Sequence, residues 1–468
     1  TVRQESSSTL PPQNNSYYYP SVNGSFVFSD AFKNSMPSFL TFGKLRASYG
    51  VVGNPAQPYV SNILYAQNSL QTINGSVAQL NTPGGTYGNS NLKPERKYES
   101  EVGLETRFFN DRLGLDITYY QNKVKNQILN LQIAPSNGAN AQVVNAGEIG
   151  NKGLEFGLNG SPLVGAFKWQ TRLNFSFNRS KAYSLAPGVS QIVFQNLENS
   201  AIQLIVKPGE DIGNIYAYSL IKDANGNDII DANGYHVSVD DRPGNKAIYE
   251  KVGNALPKIV GGFSNTFSYK SFSLNVLADY KFGSKIISTP LKYATGTGVY
   301  ENTLQYRDTE HGGLSYYINP AGQYVQIAAT STAGPAGQKV YHDGLIQPGV
   351  YANGQPNTTI IDAASYYFNE FAAGSSDGLN QKGAIYKNDY IKMREVTLGY
   401  NLPKSVVNKI GMSNLRFSLI GRNLFYFYRT LKNLDPETMI GNQWYSQSVD
   451  NGSLPATRSY GLSLNATF

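Results

Sequence analysis

The residues that could do covalent chemistry in this 468-residue sequence are few, and each departs from the pattern its chemistry needs. Gly374-Ser-Ser-Asp-Gly378 matches the G-x-S-x-G nucleophile elbow. That elbow needs a strand-to-helix turn and a histidine later in the chain. His236, His311 and His342 all precede Ser376, whose neighbours are loop-like, so a Gly/Ser loop is favoured. Asp223-Ala-Asn-Gly-Asn-Asp228 approaches a calcium loop. Asp228 stands where that loop needs glycine and Gly234 where it needs glutamate, so a turn is favoured. Calcium in this loop stays open as the one cofactor. Asp308, Glu310 and His311 have ligand chemistry but no fixed geometry, so a solvated run is the default. Gly296-Thr-Gly298 lacks the third glycine of a dinucleotide fingerprint, and no βαβ unit surrounds it. No catalytic residue and no metal ligand is assigned, and the chain is not expected to be an enzyme.

Binding chemistry is better supplied. The sequence holds 34 Tyr, and several sit in pairs between the regular segments. A tyrosine or tryptophan presents an apolar ring with a polar handle, suited to stacking on a sugar or gripping a peptide. Trp444, Tyr445, Tyr316, Tyr317 and Tyr390 are the substrate-contact candidates, with Trp444 foremost. For any single one, packing between loops or a place in an interfacial aromatic girdle is the better-weighted alternative.

The elements that must position these residues are strands. The stretch Thr457 to Phe468 puts Tyr460, Leu462, Leu464, Ala466 and Phe468 on one face, with Gly461, Ser463, Asn465 and Thr467 on the other. That period of two suits a lipid-facing barrel strand and equally the last strand of a soluble sandwich. Ten further segments alternate in this way, making eleven in all. Nine begin near Val22, Lys44, Tyr98, Arg112, Gly147, Phe167, Ile259, Phe272 and Leu415, and the tenth ends in Val396, Leu398, Tyr400 and Leu402. Asn265 is the one polar residue on the apolar face of its segment. Ile212 to Leu220 is also β-like but is placed in a loop, and the first sixteen residues read as polar loop.

The connections decide between the two architectures. Long loops, about 53–97, 127–146, 183–257, 284–385 and 428–456, alternate with short turns. An up-and-down membrane barrel sorts its connections in this manner and a soluble sandwich has no reason to. The predicted fold is therefore all-β: an antiparallel transmembrane β-barrel wall spanning residues 1–468, long loops extracellular and the C-terminus periplasmic. Single-chain bacterial barrels normally close with an even strand number, so eleven strands suggest the C-terminal half of a larger barrel. Lys168, Arg172, Arg416, Arg422, Glu101 and Glu105 fall on the polar, lumen-facing side, and Tyr460, Leu462, Leu464 and Phe468 form the predicted barrel-assembly signal. No apolar run is long enough for a membrane-crossing helix. The net charge of +7 is dispersed, with no basic stripe of the nucleic-acid type.

Stretches spread in order from about residue 45 to the end resemble the SusC/RagA family of TonB-dependent outer-membrane transporters of Bacteroidota. They are Leu45-Arg-Ala-Ser-Tyr-Gly50, Asn91-Leu-Lys-Pro-Glu95, Asn151-Lys-Gly-Leu-Glu-Phe156 and Gly261-Gly-Phe-Ser-Asn-Thr-Phe-Ser-Tyr-Lys270. Near the end come Tyr390-Ile-Lys-Met-Arg-Glu-Val-Thr-Leu-Gly-Tyr-Asn-Leu-Pro403, Gly421-Arg-Asn-Leu-Phe425 and Leu434-Asp-Pro-Glu437. The resemblance implies a barrel of about 22 strands around an N-terminal plug, with the plug outside this sequence. It further implies active import of a bulky nutrient, oligosaccharide or peptide. The implied partners are a SusD-like surface lipoprotein, TonB-ExbB-ExbD acting through the N-terminal part, outer-membrane lipid and lipopolysaccharide, and the barrel assembly machinery. The polar-face charges would then hold the plug by ion pairs. A structural subunit of an envelope complex and a passive porin are the alternatives.

Overall fold

Alternating side chains and tight reversals build one continuous sheet. The computed structural model describes residues 1–468 except 63–64, 72–74, 76, 84, 199, 238–247 and 372–380. Its main sheet has 12 strands in chain order. They are β1 (Val2–Ser6), β2 (Ser16–Val27), β3 (Leu40–Asn54), β4 (Glu95–Phe108), β5 (Leu113–Lys125) and β6 (Glu148–Val164). Then come β7 (Phe167–Ser184), β8 (Ile259–Tyr269), β9 (Phe272–Phe282), β10 (Tyr390–Asn401), β11 (Asn414–Arg429) and β12 (Ser459–Thr467). Each pairs antiparallel with the next. The eleven expected strands are all present, and Val2–Ser6 adds a twelfth. It lacks an apolar period and is held by backbone pairing to Ser16–Pro20, which a side-chain pattern cannot announce. The even count removes the argument from an odd strand number. The sheet instead stays open, with β1 and β12 as its two edges.

From β2 onward, short and long connections alternate along this order. At one end lie 28–39, 109–112, 165–166, 270–271 and 402–413; at the other lie 55–94, 126–147, 185–258, 283–389 and 430–458. The 402–413 turn is a helical turn, Lys404–Val407 continued by Asn408–Ile410, and Gly411 ends it with φ 72°. The expected β segment near Ile212 lies outside the main sheet. Asn214–Tyr218 joins Ile192–Leu197, Ile202–Val206 and Tyr249–Asn254 in a four-stranded loop sheet. Its residues Ile202, Leu204, Ile215 and Ala217 are buried in an apolar cluster with Ile287 and Val449 from two other loops.

The two faces of the wall differ as the alternation requires. One carries exposed Leu45, Val102, Tyr119, Phe177, Phe263, Leu398, Leu419 and Leu462. Asn265 on that face is buried and accepts the Trp169 indole N–H at 2.8 Å, so its polarity is satisfied. The other face is ionic and follows a repeated device. Arg46 of β3 crosses over Gly103 of β4 to bond both oxygens of Asp116 on β5 at 2.9 Å. Tyr120 of β5 crosses Gly153 of β6 to reach Asn178 on β7 at 3.1 Å. Arg416 of β11 crosses Gly399 of β10 to reach Ser273 on β9 at 2.9 Å. In each case a Cβ on the middle glycine would collide with the crossing side chain. The device ties strands two apart, beyond what neighbouring backbone ladders do.

Candidate functional site

The densest polar constellation lies where the 430–458 connection meets the long-loop end of β9, β10 and β11. The local sequence explains the geometry. Tyr390, Lys392 and Arg394 are in phase with Val396, Leu398 and Tyr400, so strict alternation would send three polar groups to the apolar face. A β-bulge resolves the conflict. Met393 pairs with Ala278 and Glu395 with Leu277, leaving Arg394 as the extra residue. On β11 the matching irregularity falls at Asn423, whose φ of 52° suits asparagine. Tyr390, Lys392 and Arg394 thereby face the same side as Glu395 and Thr397.

Glu437 of the loop descends onto these groups. Its carboxylate receives Lys392 Nζ at 2.5 Å, the Tyr390 hydroxyl at 3.1 Å and a bidentate clasp from Arg394. Arg394 Nε also donates to Asp279 of β9 at 2.6 Å. Lys392 is 2% exposed and Tyr390 6%, so the clasp is a packed joint. Burial opposes the ionised form of Glu437. Hydrogen bonds from Arg394 and Lys392 outweigh burial and bring it from the ordinary 4.5 down to about 2. The preceding Asp435 accepts the Tyr426 hydroxyl at 2.6 Å and the Ala456 N–H at 2.9 Å, fixing both ends of the loop. Pro436 offers its carbonyl to Asn388 at 3.0 Å.

The same loop reaches sideways. Trp444 is half-buried, edge-on to Phe194 at 5.0 Å, and packs on Ala182, Val206 and Ile212. Tyr445 lies 5.8 Å from the Phe194 ring. Val449 pairs with Ile287, and Asp450 accepts the Ser288 hydroxyl at 2.7 Å. The 430–458 connection is therefore a hub joining the wall, the 185–258 loop and the 283–389 loop. The latter two are also joined directly, by Lys292 to Glu198 at 2.9 Å.

The other sequence candidates take distinct places. Tyr316 is 2% exposed, stacked on Tyr324 and Tyr341, and Tyr317 beside it is half-buried. Tyr390 belongs to the Glu437 clasp. On the polar face Glu101 faces Arg46 at 3.7 Å, Glu105 faces Lys44 at 3.6 Å, and Arg422 bonds Glu395 at 2.8 Å. Lys168 and Arg172 are exposed, with no ion pair among the described residues. Asp223 caps its own turn by accepting the N–H groups of Asn225 and Asn227, and Lys222 sits on Asp228. His311 pairs with Asp308 at 2.7 Å, and no cluster of three or more metal-ligand side chains occurs among the described residues. Ser376 lies outside the described residues. A cavity of about 820 Å³ opens between Gly296–Gly298, Arg307 and the helix Ala363–Phe371. Sequence reasoning missed Lys392, Arg394 and Glu437 as one unit. The phase conflict in β10 was the available signal.

The wall and its loops can be set against known proteins. Residues 1–204 match the family described as TonB dependent receptor-like, beta-barrel. The whole chain superposes on the solved RagAB peptide importer in its closed-closed state with TM-score 0.69 at 19% identity, covering 45% of that chain. The chain has the fold of the TonB-dependent receptor-like β-barrels. Among receptors of that kind, P3 of Formosa agariphila is 27% identical over 100% of this chain and 43% of its own length. The SusC receptor of Bacteroides thetaiotaomicron is 26% identical over 69% of this chain and 34% of its own. The SusC and RagA resemblance read from the short motifs is thus borne out, and the chain spans less than half the length of these receptors. TonB-dependent receptor-like barrels are outer-membrane proteins, and the open 12-stranded sheet is a partial barrel wall.

Proposed function

We propose that this chain is the wall and loop assembly of an outer-membrane importer for a bulky nutrient, an oligosaccharide or a peptide. Uptake is driven through TonB-ExbB-ExbD and shared with a SusD-like lipoprotein docked on the long loops. The long-loop end is extracellular and the short turns are periplasmic. The observation that carries the reading is the loop hub. A passive pore gains nothing from a loop fixed by a buried ionic clasp to its inner wall and interlocked with two neighbouring loop sheets. An importer that must seal over a bulky substrate does. The relatives support it, since one solved relative is a peptide importer and one curated relative is SusC. Lys168 and Arg172, exposed on the polar face, are the proposed contacts to a plug. No bond is made or broken in this mechanism. The wall binds, orients and gates.

The test is uptake by cells making the whole protein, with and without TonB, using labelled oligosaccharides and peptides, together with affinity capture of surface lipoproteins. The reading expects TonB-dependent uptake of one of the two classes and capture of a SusD-like lipoprotein. Undiminished uptake without TonB would indicate a porin, and loss of envelope integrity with normal uptake a structural subunit.

A further inference from the structure

The 283–389 connection encloses the cavity of about 820 Å³, which shares no lining residue with the Glu437 clasp. Its size falls within the roughly 300–1,000 Å³ of small-molecule sites. Contacts of the chain with itself fix its walls. The helix Ala363–Phe371 forms one wall, and the end of the helix Thr289–Gly296, continued to Gly298, forms another. The Tyr367 hydroxyl donates to the Asn302 and Gln305 carbonyls at 3.2 and 3.3 Å, tying the first wall to the turn that follows the second. Arg307 Nη2 donates to the Gly298 carbonyl at 2.7 Å and to the Thr303 hydroxyl at 2.8 Å. Gly298 has φ 75°, and a Cβ there would collide with that guanidinium.

The lining supplies three chemistries. Phe368 is 50% exposed and brings an aromatic ring. Arg307 is exposed and has no ion pair among the described residues, and among them only its Nη2 is hydrogen-bonded. Asp343 brings a carboxylate, whose Oδ1 accepts the Tyr316 hydroxyl at 3.2 Å. Tyr316, buried in its stack, therefore supports a lining group and is not itself part of the lining. None of the five aromatic candidates read from the sequence lines this cavity.

We propose that the cavity binds part of an oligosaccharide, a sugar ring on Phe368 and its hydroxyls on Arg307 and Asp343. The C–H face of a sugar ring packs on an aromatic ring. A guanidinium offers several donors in one plane and a carboxylate two acceptors, so each can hold neighbouring hydroxyls. An extended peptide is instead gripped chiefly by main-chain hydrogen bonds along a strand edge. Among the lining residues only Asp343 lies on a strand, so no run of strand edge faces the cavity. The choice of substrate class rests on the importer reading and deepens it, selecting the oligosaccharide from the two nutrients named there.

The experiment measures calorimetric binding by the whole protein in mild detergent. The probes are a panel of short neutral and uronate-containing oligosaccharides and a pool of short peptides. Phe368→Ala removes the ring, Phe368→Tyr keeps one, and Arg307→Gln removes the guanidinium. Leu454→Ala deletes an exposed apolar side chain from another loop. Amide exchange across Ala363–Phe371 confirms that the wall persists in each. We expect an oligosaccharide to bind, with affinity about tenfold weaker in Phe368→Ala and in Arg307→Gln. Phe368→Tyr and Leu454→Ala should bind as wild type does. Four results would each overturn the proposal: no oligosaccharide bound, unchanged affinity in Phe368→Ala, equal weakening in Phe368→Tyr, or peptide binding that falls in Phe368→Ala and Arg307→Gln. Uptake by cells separates the two readings. The expected binding pattern without TonB-dependent uptake would remove the importer and leave the sugar site. TonB-dependent uptake with affinity unchanged in the variants would remove the site and leave the importer.

Discussion

At the scale of single residues, Glu437 carries the largest local consequence. It neutralises two wall cations with its own side chain only 22% exposed. Replacing it by glutamine leaves Arg394 and Lys392 facing each other without their shared anion. We expect Glu437→Gln to cost about 2–3 kcal/mol of local stability. The readout is faster amide exchange across 430–458, with exchange in β9 to β11 little changed. The pH dependence follows from the depressed carboxyl. Its folded value lies near 2 against an ordinary 4.5. The clasp therefore contributes fully above about pH 4.5 and is lost as pH falls toward 2. The glutamine variant should show no such window. Gly103 tests the cross-strand device. A Cβ there displaces Arg46 from Asp116, so Gly103→Ala should destabilise the wall by about 1 kcal/mol or less. Gly24→Ala, which meets no atom within 4 Å, should not destabilise it. Thermal unfolding of the detergent-solubilised protein separates the two.

Among elements, the loops are fixed by contacts as specific as those of the wall. The helix Ala363–Phe371 is clipped to the 221–237 segment by His236, 3.4 Å from the buried Glu370 carboxylate, which also accepts the Gln347 amide at 2.9 Å. Burial works against the imidazolium, but the interaction with Glu370 outweighs it and raises His236 above its ordinary 6.5. A raised folded value means that the clip is fully present below pH 6.5 and is lost as pH rises through the folded value. We expect faster amide exchange of Ala363–Phe371 as pH is raised from 6 to 9, after correction for intrinsic rates. Glu370→Gln should abolish that dependence. These elements also show what was legible in the sequence. Strands β2 to β12 declared themselves because an apolar face and a polar face impose a period of two along most of their length. Loop parity then ordered them. Val2–Ser6 had too few apolar positions to register. The bulge at Arg394 was present as a phase error, since Lys392 and Arg394 matched Val396 and Leu398. What was not legible is the partner of that bulge. Glu437 lies 45 residues from Lys392, and only the folded path of the loop brings them together. Trp444 was singled out by residue type, and its half-buried packing against Phe194 is a tertiary fact of the same kind.

For the whole molecule, the decisive property is which face meets lipid. Leu462 and Ser463 are neighbours on β12, paired with Leu419 and Ser418 of β11. Leu462 is 84% exposed and continues the apolar face, together with Tyr460, Leu464 and Phe468. Ser463 belongs to the polar face. A cation placed on the lipid side near mid-bilayer costs about 2–4 kcal/mol, and one on the lumen side costs little. We therefore expect Leu462→Arg to reduce the amount of folded, heat-modifiable protein in the outer membrane several-fold. Ser463→Arg should assemble nearly as well as wild type, although the two positions differ by one residue. β12 is also an open edge of the sheet, whose unpaired backbone groups lipid penalises until another strand covers them. A defect there therefore acts on assembly and not on recognition. Phe468→Ala should likewise lower insertion while leaving substrate preference per inserted molecule unchanged. Equal tolerance of arginine at 462 and 463, measured at matched expression, would remove the membrane-facing assignment of this sheet.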